Sequence, residues 1–216
     1  ERFHSGGTFN AMSTSGLNQI LSPKQVARAG GVSESSVKRW CDRGTIETVK
    51  TAGGHRRLPM GAVLRFLRSG GYAVVEPEAL GLPPSTGRSS SSLEQAREQL
   101  RTALVAGDEQ VARRVMLDLY LADHPISVLA DEVIAGAFQE IGSLWECGDV
   151  EVYQERRACE VCMTILRELR TAVGLPSQAA PRALGATLEG DHYTVAVTLA
   201  ELVLRENGWN AMSLGS

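Results

Sequence analysis

The sequence predicts a multidomain chain: an all-α winged helix-turn-helix with a small β-hairpin wing, a four-helix bundle, and the beginning of a Rossmann-like parallel α/β domain. Three observations predict it. A basic segment near the front holds two closely spaced, capped helical patterns and a Gly-Gly hairpin. Four amphipathic stretches with short breaks between them follow. Residues 182–216 then read strand, loop, helix, strand.

The expected division is a disordered Gly/Ser/Thr-rich arm at 1–17, the winged module at 18–69, a linker at 70–92, the bundle at 93–175 and the α/β unit at 182–216. In LSPKQVARAGGVSESSVKRWCDRG, Ser22 caps a first helix with Pro23 in its first turn, and Val26 and Ala27 face inward. Gly30 and Gly31 allow the tight turn, Ser33 caps the second helix, and Val37 and Trp40 anchor it. That leaves Glu34, Ser35, Ser36, Lys38 and Arg39 facing outward. The alternation in IETVK, the Gly53-Gly54 turn and a return strand from His55 make the wing. Residues 70–92 contain three prolines and a serine run, the composition of a flexible linker. Helices are expected at about 93–106, 108–122, 125–147 and 151–174, and short connections between long helices imply antiparallel neighbours. RALGATL and WNAMSL read as strands around the helix in HYTVAVTLAELVLREN, which Gly208 stops. Two parallel strands cannot bury both faces, so the α/β unit is expected to be truncated.

Composition narrows the function. With 216 residues, 43% of them hydrophobic, the chain can build real cores, and its 5% aromatic content points to aliphatic packing. No apolar run suits a bilayer, and the start lacks both the basic and the apolar part of a signal peptide, so a cytoplasmic location without membrane contact is expected. Cys41, Cys147, Cys159 and Cys162 are too few and too irregularly spaced for a disulfide framework and read as free thiols.

Charge is divided unevenly. Between Ser22 and Arg68 ten Lys or Arg stand against three acids, a net of +7, so the rest of a chain of net charge −3 carries −10. A basic front with a polar second helix and with His55, Arg56 and Arg57 beside a hairpin tip suits double-stranded DNA: Ser35, Ser36, Lys38 and Arg39 toward the major groove, the wing toward phosphate or the minor groove. One small module reads few base pairs, so a homo-oligomer, dimer or tetramer, on repeated half-sites is expected.

VSESSVKRWCDRGTIETVKTAGGHRRL resembles the winged-helix module of MerR-type and excisionase-type proteins, with a tryptophan on the recognition helix followed by a GGHRR wing. Further along, Trp145 near a helix end, Glu155 on the next helix and the loop LEGDHYTV are similar, in that order, to a cobalamin-binding module. That module has a helical cap with a Trp, then Glu-His, then an open α/β domain with a Glu-x-His-x-x-Gly loop. Together the parts resemble light-sensing, adenosylcobalamin-dependent transcriptional repressors. The resemblance implies that Trp145 and Glu155 cover the upper face of a corrin ring and that His192 ligates cobalt from below. A neutral imidazole at the carboxyl end of a strand suits a transition metal, with Asp191 or Glu189 on its other nitrogen. This chain departs from the pattern at four places. Arg156 stands where the family has His, Glu146 where some light sensors carry a second His, Gly190 where the loop has its acid, and Val195 where it has Gly.

Other readings stay open at this point. Cys159 and Cys162 lie three apart on one helix, with Cys147 ending the preceding one, so a bilin such as biliverdin could attach, or the thiols could sense oxidation. Haem or no small molecule are further variants of a repressor with the same fold. A cobalamin-carrying enzyme module shares the cap and α/β unit, but no acid-base pair or nucleophile constellation is visible, and no enzyme activity is expected.

Overall fold

The computed structural model describes residues 19–87, 91–177, 179–191 and 193–215. The expected arm and His192 lie outside the described residues. Near the front, α1 (Pro23–Ala29) and α2 (Glu34–Asp42) form where the caps direct. The Ser22 hydroxyl accepts from the Gln25 amide while the Gln25 side chain accepts from the Ser22 amide, a reciprocal capping box; Ser33 caps α2 through the Ser36 amide. Gly31 makes the turn at φ +62°, a conformation costly for residues with a Cβ. Val26, Ala29 and Val37 are buried between the helices. The wing is β2 (Val49–Lys50) against β3 (Arg56–Pro59). A two-residue strand β1 (Ile20–Leu21) adds to the other edge of β3, giving a small antiparallel sheet ordered β1-β3-β2. Then α3 (Met60–Gly70) closes the module, with Phe66 in an aromatic trio with Trp40 (4.8 Å) and Tyr72 (5.0 Å).

The segment expected to be a flexible linker is instead packed. Val74, Leu80 and Leu82 are buried, Pro77–Leu80 form a 3-10 turn, and Val75 and Glu76 donate their amides to the Ala29 carbonyl. Arg113 reaches the Gly81 carbonyl, and Asp118 accepts from the Gly87 amide. Apolar side chains among the prolines, which Pro/Gly-rich composition conceals, give this stretch a reason to dock. One connected core consequently runs from Leu21 in the winged module to Leu202 near the far end.

Helices α4 (Leu93–Ala106) and α5 (Glu109–Leu121) pack on one another. The third expected helix begins as α6 (Ile126–Val128), passes through a π-helical stretch (Leu129–Ala135) and continues as α7 (Gly136–Cys147). Gly148 at φ +81° ends it, and α8 (Val152–Val173) returns against α4, α5 and α7. Last come β4 (Arg182–Gly185), α9 (Val195–Glu206) and β5 (Asn210–Ser213), with β4 and β5 parallel and Leu184 beside Met212. Helix α9 covers one face of this pair and leans on α8. On the other face Leu184 and Met212 are exposed. Among the described residues no helix is long and apolar enough to cross a membrane.

Candidate functional site

Two surfaces carry the chemistry. The first is the outer side of α2. Val37 points into the core, which turns Ser35, Lys38 and Arg39 to solvent. Ser35 and Ser36 share the Ser33 hydroxyl at 2.9 Å each, so the start of the helix is held as a small hydroxyl cluster. Lys38 pairs with Glu34 at 2.7 Å and holds that carboxyl below the usual range, while among the described residues Arg39 has no ion pair. On the wing, His55 is exposed at the hairpin tip. Arg56 turns back to α2 and grips Asp42 through two donated hydrogen bonds of 3.1 and 2.6 Å, bracing the wing against the end of the helix. Half-buried Arg57 donates to the Arg56 carbonyl. The expected DNA-facing residues therefore lie along one helix and hairpin, but Arg56 is a brace as much as a free cation.

The second surface is a cleft of about 520 Å³ between the first turns of α8 and the loop that leads into α9. Glu155 and Arg156 line it from one side, and Gly190, Asp191 and Val195 from the other. Segments far apart in sequence meet here because α9 packs on α8. Trp145 is not among the lining residues; it stands half exposed near the end of α7. His192 lies outside the described residues, between Asp191, whose carboxylate accepts from the Tyr193 amide at 2.9 Å, and Tyr193 itself.

Sequence reasoning missed Arg157, Glu160, Met163, Tyr193 and Thr194, which also line the cleft. The Thr194 hydroxyl lies 3.8 Å from the Met163 sulfur, closing the floor where α8 meets the loop. Helical spacing from Glu155 gives the signal for one of them: Met163 follows at i+8, beyond Cys159 at i+4, on one face of α8. Cys159 shares the cleft and donates to Glu155 at 3.7 Å. Burial, reinforced by Glu155, pushes its thiol up to about 11, and burial pushes Cys162 up to about 12. Both are protonated near neutral pH, against a role as ready nucleophiles.

Carboxylates, guanidinium groups and a thioether around an open cleft, with exposed Tyr193 in its lining, match a large ligand that combines an apolar ring with a polar rim. The donor set fits a corrinoid in that respect. Comparison with known families agrees. Residues 96–170, from α4 to near the end of α8, match the family model of the B12 binding domain, and residues 20–71 match that of a helix-turn-helix domain. No curated protein matches the chain. A helix-turn-helix domain joined to a B12-binding domain suggests a regulator that binds both DNA and cobalamin.

Proposed function

We propose that the protein is a MerR-type transcriptional repressor whose C-terminal half binds adenosylcobalamin, and that light acting on the bound cofactor alters its oligomeric state and hence its hold on the operator. The observation that carries this reading is the cleft where Glu155, Arg156 and the Asp191 loop converge, formed in part by the helix α8 that the B12-binding match covers. In this reading α4, α5, α6–α7 and α8 are the four-helix cap and the β4-α9-β5 unit is Rossmann-like. Trp145 and Glu155 on the cap side would hold the corrin, Arg156 would bond its polar rim, and the loop would supply His192 as the cobalt ligand with Asp191 to orient it. When bound, the cofactor would supply a visible, light-sensitive chromophore. The chain supplies the walls that exclude water and the polar groups that fix the ring's orientation.

On the DNA side, Ser35, Ser36, Lys38 and Arg39 enter the major groove, and His55 and Arg57 contact the backbone beside it, with Arg56 holding the wing at its angle. A dimer or tetramer supplies the second half-site. The test is an absorption spectrum of protein incubated in darkness with adenosylcobalamin, biliverdin or haem, each desalted and then sized before and after illumination. Retained cobalamin with a light-dependent change in size supports the proposal. Retention of biliverdin or haem in its place would overturn the cofactor, and retained cobalamin with unchanged size would overturn the light switch.

A further inference from the structure

Helix α9 touches both functional halves. At its N-terminal end Thr194 and Val195 line the cleft. At its C-terminal end, roughly 18 Å away for twelve helical residues, Glu206 reaches the winged module: one carboxylate oxygen lies 2.9 Å from Arg68 of α3, and the other accepts from the Ile126 amide at 2.7 Å. Arg68 is well shielded. Its guanidinium lies 4.4 Å from the Tyr120 ring centre, pairs with Asp123 at 2.8 Å and donates to the His124 carbonyl at 3.1 Å. Between the two ends, buried Glu201 receives Arg170 and Arg205 at 2.8 Å each and accepts from the Ser213 amide, tying the middle of α9 to α8 and β5.

A helix clamped in its middle transmits displacement from one end to the other instead of bending locally. Glu206 and Arg68 are both mostly buried, so losing their contact leaves two poorly solvated charges, and the contact is either made or replaced by a different arrangement. Asp123, by contrast, is largely exposed and its pair with Arg68 is easily exchanged for water. We propose that α9 couples the cleft to the DNA-binding module: the state of the cleft sets the position of α9, and Glu206 then holds or releases Arg68, fixing or freeing the orientation of α3 and with it the recognition helix. This rests on the reading of the cleft as the ligand site. It adds an intramolecular route that acts within one chain, apart from any change in assembly.

Linkage makes the coupling reciprocal, so it is readable without ligand. Hydrogen exchange of the whole chain is compared for wild type, Glu206→Gln and the control Asp123→Asn. Glu206→Gln is expected to speed exchange about tenfold in the last turn of α3 and also at Thr198 and Leu199, beside the cleft; Asp123→Asn leaves the cleft end unchanged. Adding adenosylcobalamin is expected to change α3 exchange at least about fivefold in wild type, a change that Glu206→Gln abolishes. Effects of Glu206→Gln confined to Ile126 and the last turn of α9 would overturn the coupling, as would cobalamin retained on desalting with α3 unmoved. Cobalamin that washes out removes the ligand's identity alone, because the ligand-free comparison still decides the coupling. Should Glu206→Gln fail to fold by circular dichroism, Arg68→Met removes the cation that faces Glu206 while keeping a stem of similar length against Tyr120. It is expected to loosen both ends of α9, and an unchanged cleft end would refute the route.

Discussion

At Gly61 the two halves of the molecule meet backbone to backbone. It sits in the first turn of α3 against the last turn of α8, and a Cβ built there would lie 2.2 Å from the Thr171 carbonyl oxygen and 2.9 Å from its carbon. Both are backbone atoms that no rotamer change can move. Gly61→Ala therefore has to slide α3 off α8 by about 1 Å to reach an ordinary van der Waals contact. Overpacking of this kind costs about 1–3 kcal/mol. The same shift stretches the hydrogen bonds from Arg65 to the Thr171 carbonyl (3.4 Å) and the Ala172 carbonyl (3.0 Å), charged-donor bonds worth about 1.5 kcal/mol or more between them. Against this stands a gain of at most about 1 kcal/mol from replacing glycine in a helix. The clash wins by about 1–4 kcal/mol, which for a chain of this size lowers Tm by about 3–12 °C. Gly142, in the middle of α7, has nothing within 4 Å of its would-be Cβ, so Gly142→Ala keeps only the favourable term and is expected to raise Tm by about 1–4 °C. Thermal unfolding of the two variants beside wild type decides the matter. If Gly61→Ala melts at or above wild type, as Gly142→Ala should, the close docking of α3 on α8 is wrong.

Three further outcomes are expected. Burial raises the Asp118 carboxyl above its ordinary value of 3.8, with the Gly87 amide and Arg114 opposing; the folded state thus holds its proton to higher pH than the unfolded one, and stability falls as pH rises through that window. Asp118→Asn, which imitates the neutral form, should raise Tm by about 1–3 °C at pH 7 and bring no gain below pH 3.8; a lower Tm at pH 7 would contradict the sign. In thiol labelling at pH 8 with a disulfide reagent, exposed Cys147 should react fast, half-buried Cys159, pushed up to about 11, slowly, and buried Cys162, pushed up to about 12, only on unfolding. Fast modification of Cys159 in the native protein would reopen covalent attachment in the cleft. Finally, Arg39→Ala should weaken binding to duplex DNA and lower the slope of log K against log salt by about one, while Arg65→Ala should leave that slope unchanged.

Where local chemistry decided the conformation, the sequence was legible. Ser22 and Ser33 as caps, Gly31 in the left-handed region, Val37 inward and the Gly54 turn followed from neighbours a few residues away, and the structure has each of them. The amphipathic stretches were legible for the same reason, although nothing in their spacing announced the π-helical turn at Leu129–Ala135. Strand β1 was too short to show a period and exists only because β3 offers an edge. Residues 70–87 were misread because composition reports backbone freedom and not what three or four apolar side chains will find to pack on. The cleft was half legible: Glu155, Arg156 and Asp191 followed from the order of motifs in the resemblance and Met163 from helical spacing, whereas Arg157, Tyr193 and Thr194 required knowing that α9 lies on α8.

Charge shows the same gap between sequence and structure, with a consequence for how the two halves work together. The net of +7 in the front segment treats all ten cations as available to DNA. In the folded chain Arg28 pairs with Glu76, Lys38 with Glu34, Arg56 with Asp42, Arg65 with Glu47, and Arg68 with Asp123 and Glu206. Among the described residues no ion pair engages Lys24, Arg39, Arg43, Lys50 or Arg57, so the cations free to meet phosphate number about half of those counted. Were the linker flexible, the acidic half could swing onto these remaining cations and compete with DNA, an attraction felt over about 10 Å at moderate salt. Docking removes that competition. Arg65, through the Thr171 and Ala172 carbonyls, and Arg68, through Asp123 and Glu206, hold the acidic half against α3 with cations that the exposed face of α2 does not use. The cations given up to the junction thus turn a loose electrostatic attraction into a fixed orientation, and a fixed orientation is what a ligand bound at the far end of α9 needs if it is to act on the recognition helix at all.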